Sequence, residues 1–556
     1  LQIINNTQVQ VGSHGLKFGT NSIFSRFGNV FWNGGSGNWT FASLADFEAG
    51  RPTNFTRNIR ADGSAPSAFF DQQELSFYAQ DDWQVSRRLL VQAGLRYDVT
   101  RFTNFPGRVQ PIEAALGFET GRAPIDRNNI SPRLSATFDV RGDGREVIRA
   151  GSGLFFGRFP SVLGSNVGIT DNPLLELQCF GSFAEGAPNA PPSPSVYTSL
   201  PADGSGNPNG CLGGAGIGGV PTYTFWGPGF RLPETWKSNV GYERIIGRNT
   251  RFSADVIYST SNYLYTVRNV NLRDPVFELA NEGGRRVFVP QSGFVPTNAA
   301  GPDRLRFTEF GNLFVNYPDG VSQSIAASFN LERRFSRGLL RASYTYTDAK
   351  DNSSYNCCTA NEGFTNPRVG VFGPNDIGGR GDASRAWGAT NFVRNHAIVF
   401  SGFVRAPWGF QVSGIWSMRS GVPWGPEQGG DLNGDGVSFN DRLFIFNPDS
   451  LPVFVAATVT NPVTRDSIVT ANRTRYRDYL NANSCVRGFV GRIIDRATCR
   501  EDWFNRLDMS IRKDLPIGGG RAQLSIDLFN VLNGINRDWG RFEGVRGASR
   551  NLLQPQ

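Results

Sequence analysis

Seven times along this chain two segments of period-two alternation are joined by a turn of a few residues. Between one such pair and the next lies a far longer connection. The paired segments are 3–11 with 16–25 around "GSHG", 74–86 with 89–98, and 131–140 with 145–156 around "RGDG". They continue as 236–244 with 251–259 around "IIGRNT", 322–334 with 339–347 around "FSRG", 396–405 with 410–420 around "APWG", and 504–514 with 521–530 around "PIGGG". The connections are 26–73, 99–130, 157–235, 260–321, 348–395 and 421–503. Successive strand side chains point to opposite faces, so each pair reads as an antiparallel hairpin with one apolar face. Long loops confined to alternate connections are uncommon in a compact soluble domain. A transmembrane β-barrel has them as a rule, with short turns on one rim and long loops on the other.

The faces agree with that architecture. In "ELSFYAQDDWQVSRRLLVQAGLRYD", residues 74–98, Leu75, Phe77, Ala79 and Trp83 oppose Glu74, Ser76, Tyr78, Gln80 and Asp82. Leu89, Val91, Ala93, Leu95 and Tyr97 then oppose Gln92, Gly94, Arg96 and Asp98, and Asp81 is the one misfit on the apolar side. In the last hairpin Ala522, Leu524, Ile526 and Leu528 oppose Arg521, Gln523, Ser525 and Asp527, while Leu507, Met509 and Ile511 oppose Arg506, Asp508, Ser510 and Arg512. So many Arg and Asp on the second face do not suit a dry core. They suit a polar barrel interior, with lipid against the apolar face. The expected fold class is therefore all-β, an antiparallel transmembrane β-barrel. A soluble sandwich or propeller, the rival architecture, fits the loop alternation poorly. The long segments are expected to hold further strands, such as "NVFW" (29–32) with "NWTF" (38–41), and "YLYTVRNVNL" (263–272).

Composition narrows the function. No run of about 18 apolar residues occurs, so spanning helices are not expected, and the mean hydropathy is −0.31. The net charge is +8, carried almost wholly by Arg scattered through strands and turns. No basic helix or arm collects it, so no nucleic-acid partner is expected. The two histidines, His14 and His396, lie in different hairpins, and neither GxSxG nor HExxH is present. An enzyme is not expected. "GAGIGG" (214–219) matches GxGxxG but lacks the flanking strand and helix of a dinucleotide site, and it reads as loop. No linker divides the chain, so residues 1–556 are read as one domain. It opens in mid-pattern with "LQIINNTQVQV" and is expected to be a fragment or a processed product.

"LSFYAQDDWQVSRRLLVQAGLRYD", "NNISPRLSATFDVRGDGREVIRAGSGLFFG", "SIAASFNLERRFSRGLLRASYTYTDAKDNSS", "RSGVPW" with "DLNGDGVSFNDR", and "RLDMSIRKDLPIGGGRAQLSIDLFNVLN" together resemble the barrel of TonB-dependent outer-membrane receptors. Within that family they are most similar to the Oar-like group, also described as carboxypeptidase-regulatory-like-domain proteins. The resemblance implies part of a barrel of about 22 strands in a Gram-negative outer membrane, surrounded by its lipid. It further implies a plug, a coupling box for the TonB complex and an N-terminal regulatory-like domain, none of which is read in this chain. Nor does "SRNLLQPQ" supply the aromatic-ended strand that closes such barrels. The implied activity is TonB-energised uptake of an external ligand; a passive porin-like channel and a surface binding or adhesion protein stay open beside it.

Three groups of residues are candidates for a site. Asp431, Asn433 and Asp435 precede Gly436 at the spacing of an EF-hand-type loop, with the Val437 carbonyl and Asp441 as further ligands for Ca2+. Position twelve is Arg442 where a bidentate Glu belongs, so a loop of Asx-turns without an ion is the alternative. Six cysteines lie in the long connections, which suits disulfides in an oxidising compartment: Cys485 with Cys499, Cys179 with Cys211, and Cys357 with Cys358 or in exchange. Finally, Trp226, Phe230 and Trp424 are candidate stacking surfaces for an extracellular ligand, the alternative being that they pack the loops or join an interfacial belt.

Overall fold

The computed structural model describes every residue except 31–36, 61–66, 106–108, 122, 170–173, 181–222, 292–301, 353–386, 427–430, 436–441, 454, 456–457, 518–519, 538 and 541–556. In chain order the strands are β1 (Gln2–Val11), β2 (His14–Val30), β3 (Asn38–Thr40), β4 (Asn54–Arg60), β5 (Ser67–Ser86), β6 (Leu89–Thr103), β7 (Asn129–Asp139) and β8 (Glu146–Phe156). There follow β9 (Leu174–Phe180), β10 (Tyr223–Trp226), β11 (Glu234–Ile246), β12 (Thr250–Asn269), β13 (Phe277–Leu279), β14 (Arg285–Val287), β15 (Leu313–Phe335) and β16 (Gly338–Asp351). The last are β17 (Gly388–Ala389), β18 (His396–Arg405), β19 (Phe410–Arg419), β20 (Pro423–Trp424), β21 (Cys499–Arg500), β22 (Phe504–Ile517) and β23 (Gly520–Leu528).

All seven expected hairpins are present, and their strands pair in chain order as one antiparallel sheet, β1-β2-β5-β6-β7-β8-β11-β12-β15-β16-β18-β19-β22-β23. With β10 and β17 attached at its upper edge, the sheet has 16 strands. Among the described residues, β1 and β23 have no partner on their outer edges, so the sheet forms part of a barrel. Several strands extend past their sequence-read bounds into the long connections. "YLYTVRNVNL" is thus mostly the upper end of β12, paired to β15 after bulges near Ser261 and Leu264, rather than a separate strand.

Burial is inverted relative to a soluble domain. Phe77, Leu95, Leu134, Val240, Leu340 and Ile526 are each more than half exposed, while Gln72 and Ser76 are each 4 % exposed. Leaving that much contiguous apolar surface in water is disfavoured at about 25 cal/mol per Å². The register keeps this face continuous: Ala79, Leu95 and Pro132 are cross-strand neighbours, as are Phe329, Tyr344 and Ile398. Ile257 and Ile415 depart from the rule, being exposed apolar residues in the inner register. Exposed Trp83, Phe138, Phe335 and Trp408 stand at the short-turn rim, where aromatic side chains anchor a barrel at the membrane interface. Trp408 and Gly409 both have positive φ in the β18–β19 turn. That geometry matches the twist of the flanking strands and holds the Trp408 ring outward.

Asp81 is accommodated on the apolar face by a local partner. His14 lies diagonally across on β2, opposite Trp83, its Nδ1 2.7 Å from Asp81 Oδ2, and the imidazole stacks on Trp83 at 5.4 Å.

A second expectation, "NVFW" paired with "NWTF", is corrected in its described part: Asn29 and Val30 end β2 and pair with β5, residues 31–32 lie outside the described set, and β3 pairs with β4, which also pairs with β9. The packing of Trp39 on buried Phe55, 4.8 Å between ring centres, accompanies that choice. Among the described residues the α-helices all lie in the long connections: α1 (Leu44–Glu48), α2 (Gln110–Leu116), α3 (Ser161–Ile169), α4 (Pro462–Ala482) and α5 (Ser484–Arg487). Among the described residues no helix is long and apolar enough to cross a membrane.

Candidate functional site: a polar inner wall below a packed loop layer

The inner face of the sheet is a lattice of short polar contacts. Asp82 accepts from Lys17 Nζ at 2.6 Å, Gln80 Nε2 at 2.7 Å and Gln92 Nε2 at 2.8 Å. Arg96 Nε spans both oxygens of Asp98, at 3.0 and 2.9 Å, and its Nη2 donates to Ser76 Oγ. Glu243 takes Arg149 and Arg251, and Glu332 takes Arg334 and Arg341. Each carboxylate is thus held by side chains from its own strand, from adjacent strands or from both. Charges at this density persist because water reaches the face and because they are paired. A cavity of about 550 Å³ opens on this wall among Gln80, Gln92, Arg96, Arg133, Lys237 and Asn239.

Above the wall the long connections pack against each other. Phe70, Phe102, Phe159, Leu163, Trp226 and Tyr265 form one buried cluster; Ile112, Tyr223, Phe225, Phe310, Leu313 and Val315 form another. Trp226 is 4 % exposed and meets Phe230 and Tyr265 edge-on at 5.0 and 5.1 Å. It offers no open ring face to a ligand, because β10 is tucked parallel onto β15 with all four residues buried. Phe230 is half-buried against the same cluster. Trp424, on β20 beside Cys499, packs at the edge of a third cluster. Trp226 is thus enclosed by the loop layer, whereas Phe230 and Trp424 are partly buried at the edges of their clusters.

That third cluster is built by α4. Asn461 caps it, its Oδ1 accepting from the backbone N–H groups of Val463 and Thr464, and Pro462 occupies the first turn. Tyr476 and Leu480, one turn apart, are its buried residues; burial pushes the Tyr476 hydroxyl up to about 12, so the ring is neutral at any physiological pH. The Cys485–Cys499 disulfide joins α5 to β21, with Cα atoms 5.4 Å apart. Cys211, Cys357 and Cys358 lie outside the described residues. Of Cys179 only the backbone is placed, on β9 opposite Phe55.

Asp431, Asn433 and Asp435 come together at 4 %, 0 % and 2 % exposure. Asp431 Oδ1 accepts from the backbone N–H groups of Asn433, Gly434 and Asp435 at 3.2, 2.7 and 3.2 Å, and Asn433 Oδ1 accepts from Asp435 N at 2.8 Å. The Asn433 carbonyl accepts from Phe288 N, tying the turn to the segment after β14. Burial lowers the Arg304 guanidinium below its ordinary range, and the nearby Asp431 and Asp435 carboxylates oppose that. Val437 and Asp441 lie outside the described residues. Among the described residues no three His, Cys, Asp or Glu side chains are grouped to hold a metal.

Several organising residues carried no sequence signal. Asn271, fully buried, donates to the carbonyls of Phe307, Phe310 and Gly311 and accepts from Phe307 N, fixing a turn 36 to 40 residues away. Asp126 accepts from Leu232 N across 106 residues. By contrast, the Asn461-Pro462 pair that starts α4 is a readable helix start.

A family model described as "Outer membrane beta barrel domain" matches residues 1–538. No curated protein sequence matches significantly. Among solved structures, the outer membrane transporter YddB from Escherichia coli is similar at 13 % identity and a TM-score of 0.47, over 95 % of this chain and 49 % of that one. The FrpB iron transporter from Neisseria meningitidis is similar at 8 % identity and 0.44, over 95 % and 50 %. A mutant of the ferric enterobactin receptor PfeA from Pseudomonas aeruginosa is similar at 9 % and 0.43, over 95 % and 47 %. The chain spans about half the length of these structures.

Proposed function

Because this chain belongs to the outer membrane beta barrel domain family, we propose that it is the wall of a TonB-energised receptor that takes up an external ligand, in the Oar-like group its motifs resemble. The observation that carries the reading is the division of labour across the sheet: apolar outside, charged inside, with heavy packed loops on one rim only. A passive channel needs the polar interior but not a loop layer of several buried clusters. A surface adhesin needs the loops but not a charged interior. Partners under this reading are outer-membrane lipid, the TonB complex through a plug-bearing N-terminal part, and a ligand of unassigned class. Cells expressing the intact protein, supplied with a mixed pool of siderophores, glycans and peptides, should deplete one class when TonB is present. They should lose that uptake without it. Uptake that persists without TonB would point to a passive channel, and surface retention without uptake to an adhesin.

For the acidic loop we propose the ion-free reading. Three backbone N–H groups already converge on one Asp431 oxygen, and Arg304 supplies positive charge beside Asp431 and Asp435. Limited proteolysis across 421–450 should give the same pattern in millimolar calcium and in chelator. Protection by calcium, lost in Asp435→Ala, would restore the calcium site, at an affinity of about 10⁻⁴ to 10⁻³ M as in extracellular modules.

A further inference from the structure

On the inner wall Arg133 of β7, Gly153 of β8 and Lys237 of β11 form one cross-strand row. Neighbouring strands are ~4.8 Å apart, so the two cationic residues start about 10 Å apart with no side chain between them. Both side chains converge on Phe155, one pleat along β8 on the same face. Arg133 Cζ lies 4.3 Å from the ring centre and Lys237 Nζ 5.7 Å from it. A phenyl ring attracts each cation weakly but neutralises neither. Among the described residues neither cation has an ion pair or side-chain hydrogen bond, whereas the nearby Asp98 is engaged by both of its oxygens on Arg96. Two like charges aimed at one ring, with no carboxylate paired to either among the described residues, repel.

The surroundings are shaped for an occupant. A Cβ on Gly153 would stand 2.9 Å from Arg133 Cγ, so the glycine is what lets the arginine stem lie across β8. The ~550 Å³ cavity is lined by both cations, by Arg96 and by the side-chain amides of Gln92 and Asn239. We propose that this trough, midway up the inner wall, binds a small polyanion carrying carboxylate or phosphate groups, which bridges Arg133 and Lys237 across Gly153 while Gln92 and Asn239 donate neutral hydrogen bonds. The site stands whether or not transport is energised, since it rests on the inner wall alone.

Titration calorimetry of the folded protein in zwitterionic micelles, with citrate and with inorganic phosphate as probes, tests it. At least one probe should bind, and the stronger of the two identifies the favoured oxyanion. Hydrogen bonds to charged groups are stronger than those to neutral amides, so Arg133→Gln with Lys237→Gln, which removes both charges, should weaken binding at least ~10-fold. Arg341→Gln, at a cation already paired with Glu332 on the same wall, should change it little. Gly153→Val, which leaves every charge in place, should weaken binding by displacing the arginine stem. Absence of heat with both probes, or equal affinity in the double variant, would overturn the site. A folded Gly153→Val protein that binds like the original would overturn the bridging geometry.

Discussion

Arginine at Phe329 should cripple insertion of the protein into lipid vesicles, while arginine at the adjacent Asn330 should leave the folding yield nearly unchanged. Phe329 is 45 % exposed on the apolar face, in the middle of the outward series Ile325, Ala327, Phe329, Leu331 and Arg333 on β15. It pairs with Ala254 and Tyr344, with the Tyr344 ring stacked 6.4 Å away. Asn330 is on the other face between Ser253 and Ser343. A cation near the bilayer midplane costs about 2–4 kcal/mol on the lipid side, a roughly 30- to 1000-fold change in the folding equilibrium, and little on the lumen side. Urea titration of vesicle-reconstituted variants reads the difference. Equal stabilities would mean that the two faces share one environment.

The second large effect should come from the Cys485–Cys499 bridge. Opening it in Cys485→Ser with Cys499→Ser releases a loop of about 15 residues, worth roughly 3 kcal/mol in the chain-entropy treatment. It also loosens the cluster around Ile445, Leu451, Tyr476, Leu480 and Ile494, which Cys499 helps to bury. The damage should stay local. Protease should cut within 462–500 at least tenfold faster, while the heat-resistant band of the folded sheet persists. Unchanged cleavage would show that α4 and its contacts hold the module without the bridge.

The wall was legible in the sequence and most of the loop layer was not, for a physical reason. Each wall hairpin repeats one short-range pattern, with alternate residues facing media of opposite polarity, so the register and both faces can be read from residues two apart. Asp81 broke the pattern because its partner, His14, comes from a different hairpin. The loop layer depends on contacts between distant segments, such as Asn271 with the 307–311 turn and β4 with β9. Their cause is packing, which leaves no local periodicity. Trp226 shows the consequence: an aromatic in a loop looks like a ligand contact until the parallel seating of β10 on β15 buries it. The start of α4 was readable from Asn461-Pro462 all the same, since capping is a local interaction. The bridge from Cys485 to Cys499 was legible because the two residues are close in sequence.

Paramagnetic accessibility along β15 in lipid vesicles measures the inverted faces most directly. Nitroxide side chains placed one at a time at residues 324–331 should alternate with period two. Labels at Ile325, Ala327, Phe329 and Leu331 should collide with oxygen dissolved in lipid and be shielded from a water-soluble nickel chelate; those at Ser324, Ala326, Ser328 and Asn330 should do the reverse. An alternation of opposite phase, or none, would contradict a wall with its apolar side in the membrane.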